Sequence, residues 1–161
     1  MVKNVFKKLG KKQKNNKGFS LVELIVVIAI MAVLVGVLAP QLIKYVEKSR
    51  EATDIQTCDN IATALKTYYA DEEVAASATA NTVTVTLGKT GLGTVADTAA
   101  DTAVDTAVKD AGLTKAKIKG TKWTGDKITI VYNKADGTIT YTGDSPYYHS
   151  DEDQFKKGPK S

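Results

Sequence analysis

The 161 residues carry 22 lysines and arginines against 18 acids, a net charge of +4. Seven of those bases are Lys3, Lys7, Lys8, Lys11, Lys12, Lys14 and Lys17, and removing them leaves 15 basic against 18 acidic residues, or −3. The excess is therefore a signal at one end of the chain, which weakens the case for nucleic acid or acidic surfaces as partners. Cys58 is the lone cysteine, so an intrachain disulfide is excluded and the core must come from packing.

The lysine leader, residues 1–18, holds no acid and is followed by an apolar run over 19–39 that is interrupted only by Ser20 and Glu23. At the helical rise that run spans about 30 Å, one bilayer crossing. The positive-inside rule keeps the lysines in the cytoplasm and sends everything after Pro40 to the outside. Three readings of the junction stand side by side. A secretory signal would end in Val37-Leu38-Ala39, but Pro40 would then follow the cut, where it obstructs cleavage. An uncleaved anchor fits in length and orientation, yet it leaves Glu23 ionisable in the bilayer at a cost of a few kcal/mol unless the side chain snorkels. In the third reading a cut between Gly18 and Phe19 creates an α-amine at the head of the apolar helix, which pairs with Glu23 and, between offset parallel helices, locks a register.

Gly18-Phe19-Ser20-Leu21-Val22-Glu23, with the lysine leader before it and Pro40 after the apolar stretch, resembles the class III signal of type IV pilins and of the pseudopilins of type II secretion and DNA-uptake systems. The resemblance covers residues 11 to 75. It implies a prepilin peptidase that cleaves after Gly18 and methylates the Phe19 amine, and a Glu23 carboxylate that pairs with the Phe19 amine of a neighbouring subunit. It further implies self-association into a helical filament, driven by an assembly ATPase through an inner-membrane platform protein, with membrane lipid around the stored precursor.

Beyond Pro40 the apolar residues Leu42, Ile43, Val46, Ile55, Cys58, Ile61, Ala62, Leu65 and Tyr69 recur mostly every three or four positions. One helix is expected from about residue 19 to 74, its second half, 40–75, amphipathic. Gly36 and Pro40 place a kink in 36–41. Lys44, Glu47, Lys48, Arg50, Glu51 and Asp54 read as a solvated face, or as charges that meet those of adjacent subunits. Cys58, in step with Ile55, Ile61 and Leu65, reads as a buried apolar contact.

The remainder, 76–143, reads as a small α+β head. Val83-Thr84-Val85-Thr86-Leu87 alternates as a strand over 83–87. Three near-copies of a four-residue unit, starting at Ala96, Ala100 and Val104, predict a short helix over about 95–111 with Asp97, Asp101 and Asp105 as a solvated stripe. Strands follow over 117–123, 127–133 and 137–142, with Asn133-Lys134-Ala135-Asp136-Gly137 as a hairpin turn. Ile128, Ile130, Tyr132, Ile139 and Tyr141 are expected to face the helix stripe. Lys115, Lys117, Lys119, Lys122 and Lys127 with Trp123 form a basic patch suited to DNA or an anionic surface, or else guard an exposed strand against pairing. The residues 144–161 read as a polar tail.

The expected fold is α+β, a long N-terminal helix against a small antiparallel sheet, as in type IV pilins. Catalysis finds no support: His149 lies in the tail, and neither a phosphate loop nor a metal-spaced cluster occurs, so no cofactor or metal is expected. The function read from the chain is that of a structural pilus subunit, held in the cytoplasmic membrane by one span and then assembled at the cell surface. A pseudopilin of a secretion or DNA-uptake machine is the alternative, and a membrane-tethered binding module that does not polymerise is a more distant one.

Overall fold

The computed structural model describes residues 18–70, 81–94 and 98–160. Two compact units divide the chain, residues 1–41 and 42–161. Helix α1, Leu21–Tyr69, runs through both. In the first unit its side chains from Leu21 to Leu38 are exposed on every side, which is the surface of a helix made for an apolar surrounding. It is long and apolar enough to cross a membrane. The expected continuation of the helix to residue 74 lies outside the described residues.

In the second unit, α1 buries Glu47, Glu51, Asp54, Cys58, Ile61, Ala62, Leu65 and Tyr69. The spacing of four, three, four, three along Glu47, Glu51, Asp54, Cys58 and Ile61 keeps them on one stripe. That stripe is acidic at one end and apolar at the other. The charged residues were expected to lie in solvent; instead the three acids face inward, with Glu51 and Asp54 at 0% exposure.

Four strands form an antiparallel sheet in the order β2-β1-β3-β4: β1 Thr82–Gly88, β2 Leu92–Thr94, β3 Lys127–Asn133 and β4 Ile139–Thr142. The register pairs Val83 with Tyr132 and Val85 with Ile130, and β3 in turn sets Tyr132 against Ile139 and Ile130 against Tyr141. Alternate residues therefore point the same way, and the apolar set of each strand falls on one buried face. This face joins Cys58, Ile61, Leu65 and Tyr69 of α1 in a single core. Helix α2, Thr98–Asp110, adds Val104, Ala107 and Val108. Asp105 is exposed on it, while Asp97 and the side chain of Asp101 lie outside the described residues.

The β3–β4 turn is closed by its own side chains. Ala135 N–H donates to Asn133 Oδ1 at 3.0 Å, Thr138 N–H to Asp136 Oδ1 at 2.9 Å, and Gly137 takes φ +71°, a conformation that favours glycine.

Two expectations are corrected here. Residues 117–123 are not a strand: their only strand-like bond runs from Ile118 N–H to the Gly88 carbonyl, and the next donors are taken by side chains of α1. A short 3-10 turn, Thr124–Asp126, follows instead. The residues 144–161 are not merely a polar tail either, because β5, Tyr148–Asp151, and β6, Gln154–Lys157, form a hairpin. Its aromatic residues explain the folding: Tyr148 is buried, and the Phe155 ring lies 5.2 Å from Tyr141 and 5.7 Å from Trp123.

Candidate functional site

At the N-terminal junction Gly18 and Phe19 precede the helix as exposed chain outside any helix or strand, with Phe19 88% exposed. Leu24 N–H donates to the Ser20 carbonyl at 3.1 Å, the first bond of α1, which makes Ser20 the residue that opens the helix. Ser20 N–H donates in turn to Glu23 Oε2 at 2.8 Å. The carboxylate three residues into the helix thus reaches back over its own N-terminus, one half of a capping box. The helix dipole favours a negative charge at that end. Glu23 therefore has a local partner within its own chain, a role that the Ser20-x-x-Glu23 spacing signals. Further along, Pro40 sits inside α1. It has no N–H to give to the Gly36 carbonyl four residues back, and the helix continues past it without that bond.

The second concentration of functional-type groups is the acidic part of the α1 stripe. Asp54 accepts three hydrogen bonds: Lys119 N–H to Oδ1 at 2.7 Å, Gly120 N–H to Oδ2 at 2.7 Å, and the Trp123 indole Nε1–H to Oδ2 at 3.0 Å. Glu47 Oε1 accepts Thr121 N–H, and its other oxygen lies 3.7 Å from the Arg50 guanidinium. Glu51 Oε2 accepts from Ser145 Oγ, whose oxygen accepts in turn from Tyr147 N–H at 3.1 Å and Tyr148 N–H at 3.0 Å. The acids therefore hold two separate loops, 119–121 and 145–148, against one helix. Backbone donors on a carboxylate are strong, charge-assisted bonds.

Glu51 Oε1 is buried without a partner. Burial pushes the Glu51 carboxyl above its usual range; the Ser145 hydroxyl and Lys122 oppose that rise, and Glu47 and Asp54 add to it. Gly120 closes the seam. A Cβ there would lie 2.8 Å from Glu51 Cγ and 2.9 Å from both Asp54 Oδ2 and Trp123 Nε1, so a side chain has no room. The seam is filled by its own donors and acts as a clasp; among the described residues no group of three or more His, Cys, Asp or Glu is placed to hold a metal ion.

The other candidate groups lie apart. Cys58 is fully buried in the core, and burial raises its thiol far above the ordinary value. Tyr141 O–H donates to Asp59 Oδ1 at 3.1 Å. His149 Nδ1 lies 2.9 Å from the Gly158 carbonyl in the C-terminal hairpin. Lys115, Lys117, Lys119, Lys122 and Lys127 are exposed. Trp123, at 3% exposure, is spent on the core and on Asp54, so the patch lacks the stacking ring that a DNA contact would use.

Comparison with known proteins bears on the N-terminal unit first. Residues 13–39 match the family described as the prokaryotic N-terminal methylation motif. The chain is also similar to "Prepilin peptidase-dependent protein A" of Clostridium perfringens (strain 13 / Type A), 35% identical over 91 residues, which cover 55% of this chain. The match spans 64% of that relative's length, a little under two thirds. No solved structure matches the chain. The matched motif runs into the apolar helix, and the two together are consistent with a membrane-anchored, surface-exposed protein that resembles type IV pilins and pseudopilins.

Proposed function

We infer that the chain is a structural subunit of a type IV pilus-like surface filament. It is made as a membrane-anchored precursor with its N-terminus inside, cut between Gly18 and Phe19, methylated on the Phe19 amine and polymerised by helix packing. The observation that carries this reading is the junction itself, where an exposed Gly18-Phe19 step leads into a bare apolar helix whose single acid, Glu23, sits at the helix head. The methylation motif over residues 13–39 and a relative whose name records dependence on prepilin peptidase support the same processing here.

The chemistry follows from the cap. Before the cut Glu23 is held by the Ser20 N–H. The cut adds a cationic amine one residue earlier, a stronger partner than an amide. In apolar surroundings neither charge is stable alone, so each new subunit's amine and an adjacent subunit's free carboxylate lower one another's cost and set the stagger. Pro40 and Gly36 supply a point at which α1 bends as it packs. A pseudopilin uses the same processing, and the length of filament on sheared cells separates the two.

The test has two parts. Sequencing the mature N-terminus should give methylated Phe19, and an intact Met1 or a start at Pro40 would sink the filament reading. Glu23→Ala should leave membrane insertion and cleavage unchanged while filament yield drops at least tenfold, the loss of about 1.4 kcal/mol or more per junction. Wild-type yield from that variant would remove Glu23 from assembly.

A further inference from the structure

Flanking the inward-facing Glu47, Glu51 and Asp54, α1 carries a second set of groups that stay at the surface. Lys44, Tyr45 and Lys48 point outward, and Pro146, Tyr147 and Gly158 of the C-terminal segment wall a groove of about 390 Å³ with them. Lys44, Lys48 and Pro146 are exposed, Tyr45 is 68% exposed, and Tyr147 and Gly158 are half-buried. Neither Lys44 nor Lys48 pairs with an acid among the described residues. The helix has sent its acids to the loops and kept its free bases on the groove.

We propose that this groove binds the phosphate headgroup of an anionic lipid in the outer leaflet while the subunit is stored in the membrane. The proposal rests on the membrane-anchored reading above and names a site for it. Charge complementarity supplies the first argument: two ammonium groups and two phenolic side chains around an open groove suit a phosphodiester with its glycerol. Chain length supplies the second. Lys44 lies five residues past Ala39, the end of the apolar run, so a short tether keeps it near the headgroup layer, which adds some 5–7 Å to each side of the hydrocarbon core. Helix geometry supplies the third. Cα–Cβ bonds lean toward a helix N-terminus, so both lysine stems on α1 lean back toward the apolar end. Tyr45 and Tyr147 have the amphipathic rings that settle at such an interface.

A pair of flanking lysines would bind any anionic surface diffusely; the wall made by Pro146, Tyr147 and Gly158, about one hundred residues later in sequence, is what makes this a site. The groove would then dock the head on the bilayer surface, and extraction into a filament would have to release that contact.

Acetylation of lysine amines, read by mass spectrometry on the full chain in vesicles, tests the proposal. In vesicles of phosphatidylcholine with phosphatidylglycerol, Lys44 and Lys48 should react roughly fivefold more slowly than in phosphatidylcholine alone, the effect expected per basic residue at an anionic surface. The exposed Lys117 and Lys127 serve as internal references and should not change. Tyr147→Ala should abolish most of the protection while Tyr148 and the core keep the head folded, as checked by unchanged Trp123 fluorescence. Protection that persists in Tyr147→Ala would mean diffuse charge attraction and overturn the site. Equal protection by inorganic phosphate in phosphatidylcholine vesicles would make it a free-phosphate site instead. Protection that depends on protein density and not on lipid charge would mean a second copy occupies it. A chain that alkaline carbonate washes from the vesicles would overturn the membrane reading and this proposal together, whereas an inserted chain without protection overturns only the latter.

Discussion

Replacing Asp54 by alanine should be among the most damaging single changes outside the apolar core. The carboxylate serves three donors, of which Gly120 N–H and Trp123 Nε1–H are buried and Lys119 N–H is partly so. Each buried donor left without an acceptor costs about 1–3 kcal/mol, and water entering the new cavity can recover only the Lys119 bond, so the expected loss is roughly 3–5 kcal/mol. Relief of repulsion from Glu51 and Glu47 offsets a part of this. Asp54→Asn should cost less, about 1–2 kcal/mol, because one carbonyl oxygen in the Oδ2 position still serves Gly120 and Trp123 while the amide group opposes only Lys119. Urea unfolding of the full chain in detergent micelles reads both values. Trp123 is the sole tryptophan and reports on the loop, and an unchanged urea dependence establishes that the same transition is compared. A loss below about 1 kcal/mol for Asp54→Ala, or an asparagine variant as unstable as the alanine one, would refute the clasp.

Glu51 should give the opposite pH dependence from an ordinary paired carboxylate. Burial raises its folded-state pKa above the unfolded value, so its contribution is most favourable in acid and is lost as pH rises through the folded pKa. Glu51→Gln should therefore gain on the unmodified chain as pH goes from about 4 to 7, and a stability gap constant across that window would refute the raised pKa. Cys58, fully buried and with its thiol pushed upward, should react with a thiol reagent roughly a thousandfold or more slowly in the folded chain than in urea. Labelling at the rate of a free thiol would show that the core opens around Cys58.

The parts of the fold legible from sequence are those whose partners are local or whose period is clean. Val83, Val85 and Leu87 alternate, and so do Ile128, Ile130 and Tyr132; the two sets come together in one register because a slip of one residue would turn every apolar side chain outward. The turn at Asn133–Gly137 was legible because it is closed by side chains within five residues. Residues 117–123 misled because lysines alternating with other residues imitate an edge strand, while their backbone donors find acceptors 65 to 74 positions away. The acids misled by their chemistry. Carried back from Cys58, the same spacing reaches Asp54, Glu51 and Glu47, but charge argued for solvent, and nothing nearby in sequence announced the donors that make their burial tolerable. The C-terminal hairpin turns through Glu152 and Asp153 with no glycine to mark it. Glu23 is legible as an anomaly, an acid in an apolar run, while its capping role rests on a local Ser20-x-x-Glu23 spacing that its place at the head of an apolar helix overshadows.

The C-terminal hairpin has one more consequence, for the way copies of this chain can join. A sheet of four strands has two edges, and open edges invite further strands. At one edge, β4 gives its Tyr141 N–H to the Glu152 carbonyl at 3.0 Å, and Gly143 accepts from Ser150 N–H at 3.0 Å. The last fifteen or so residues thus occupy the hydrogen-bonding positions that an incoming strand would need. The other edge is β2, only three residues long. Among the described residues, strand addition is therefore blocked at β4 and has only three residues to use at β2, so under the proposed filament reading copies would join through the helix.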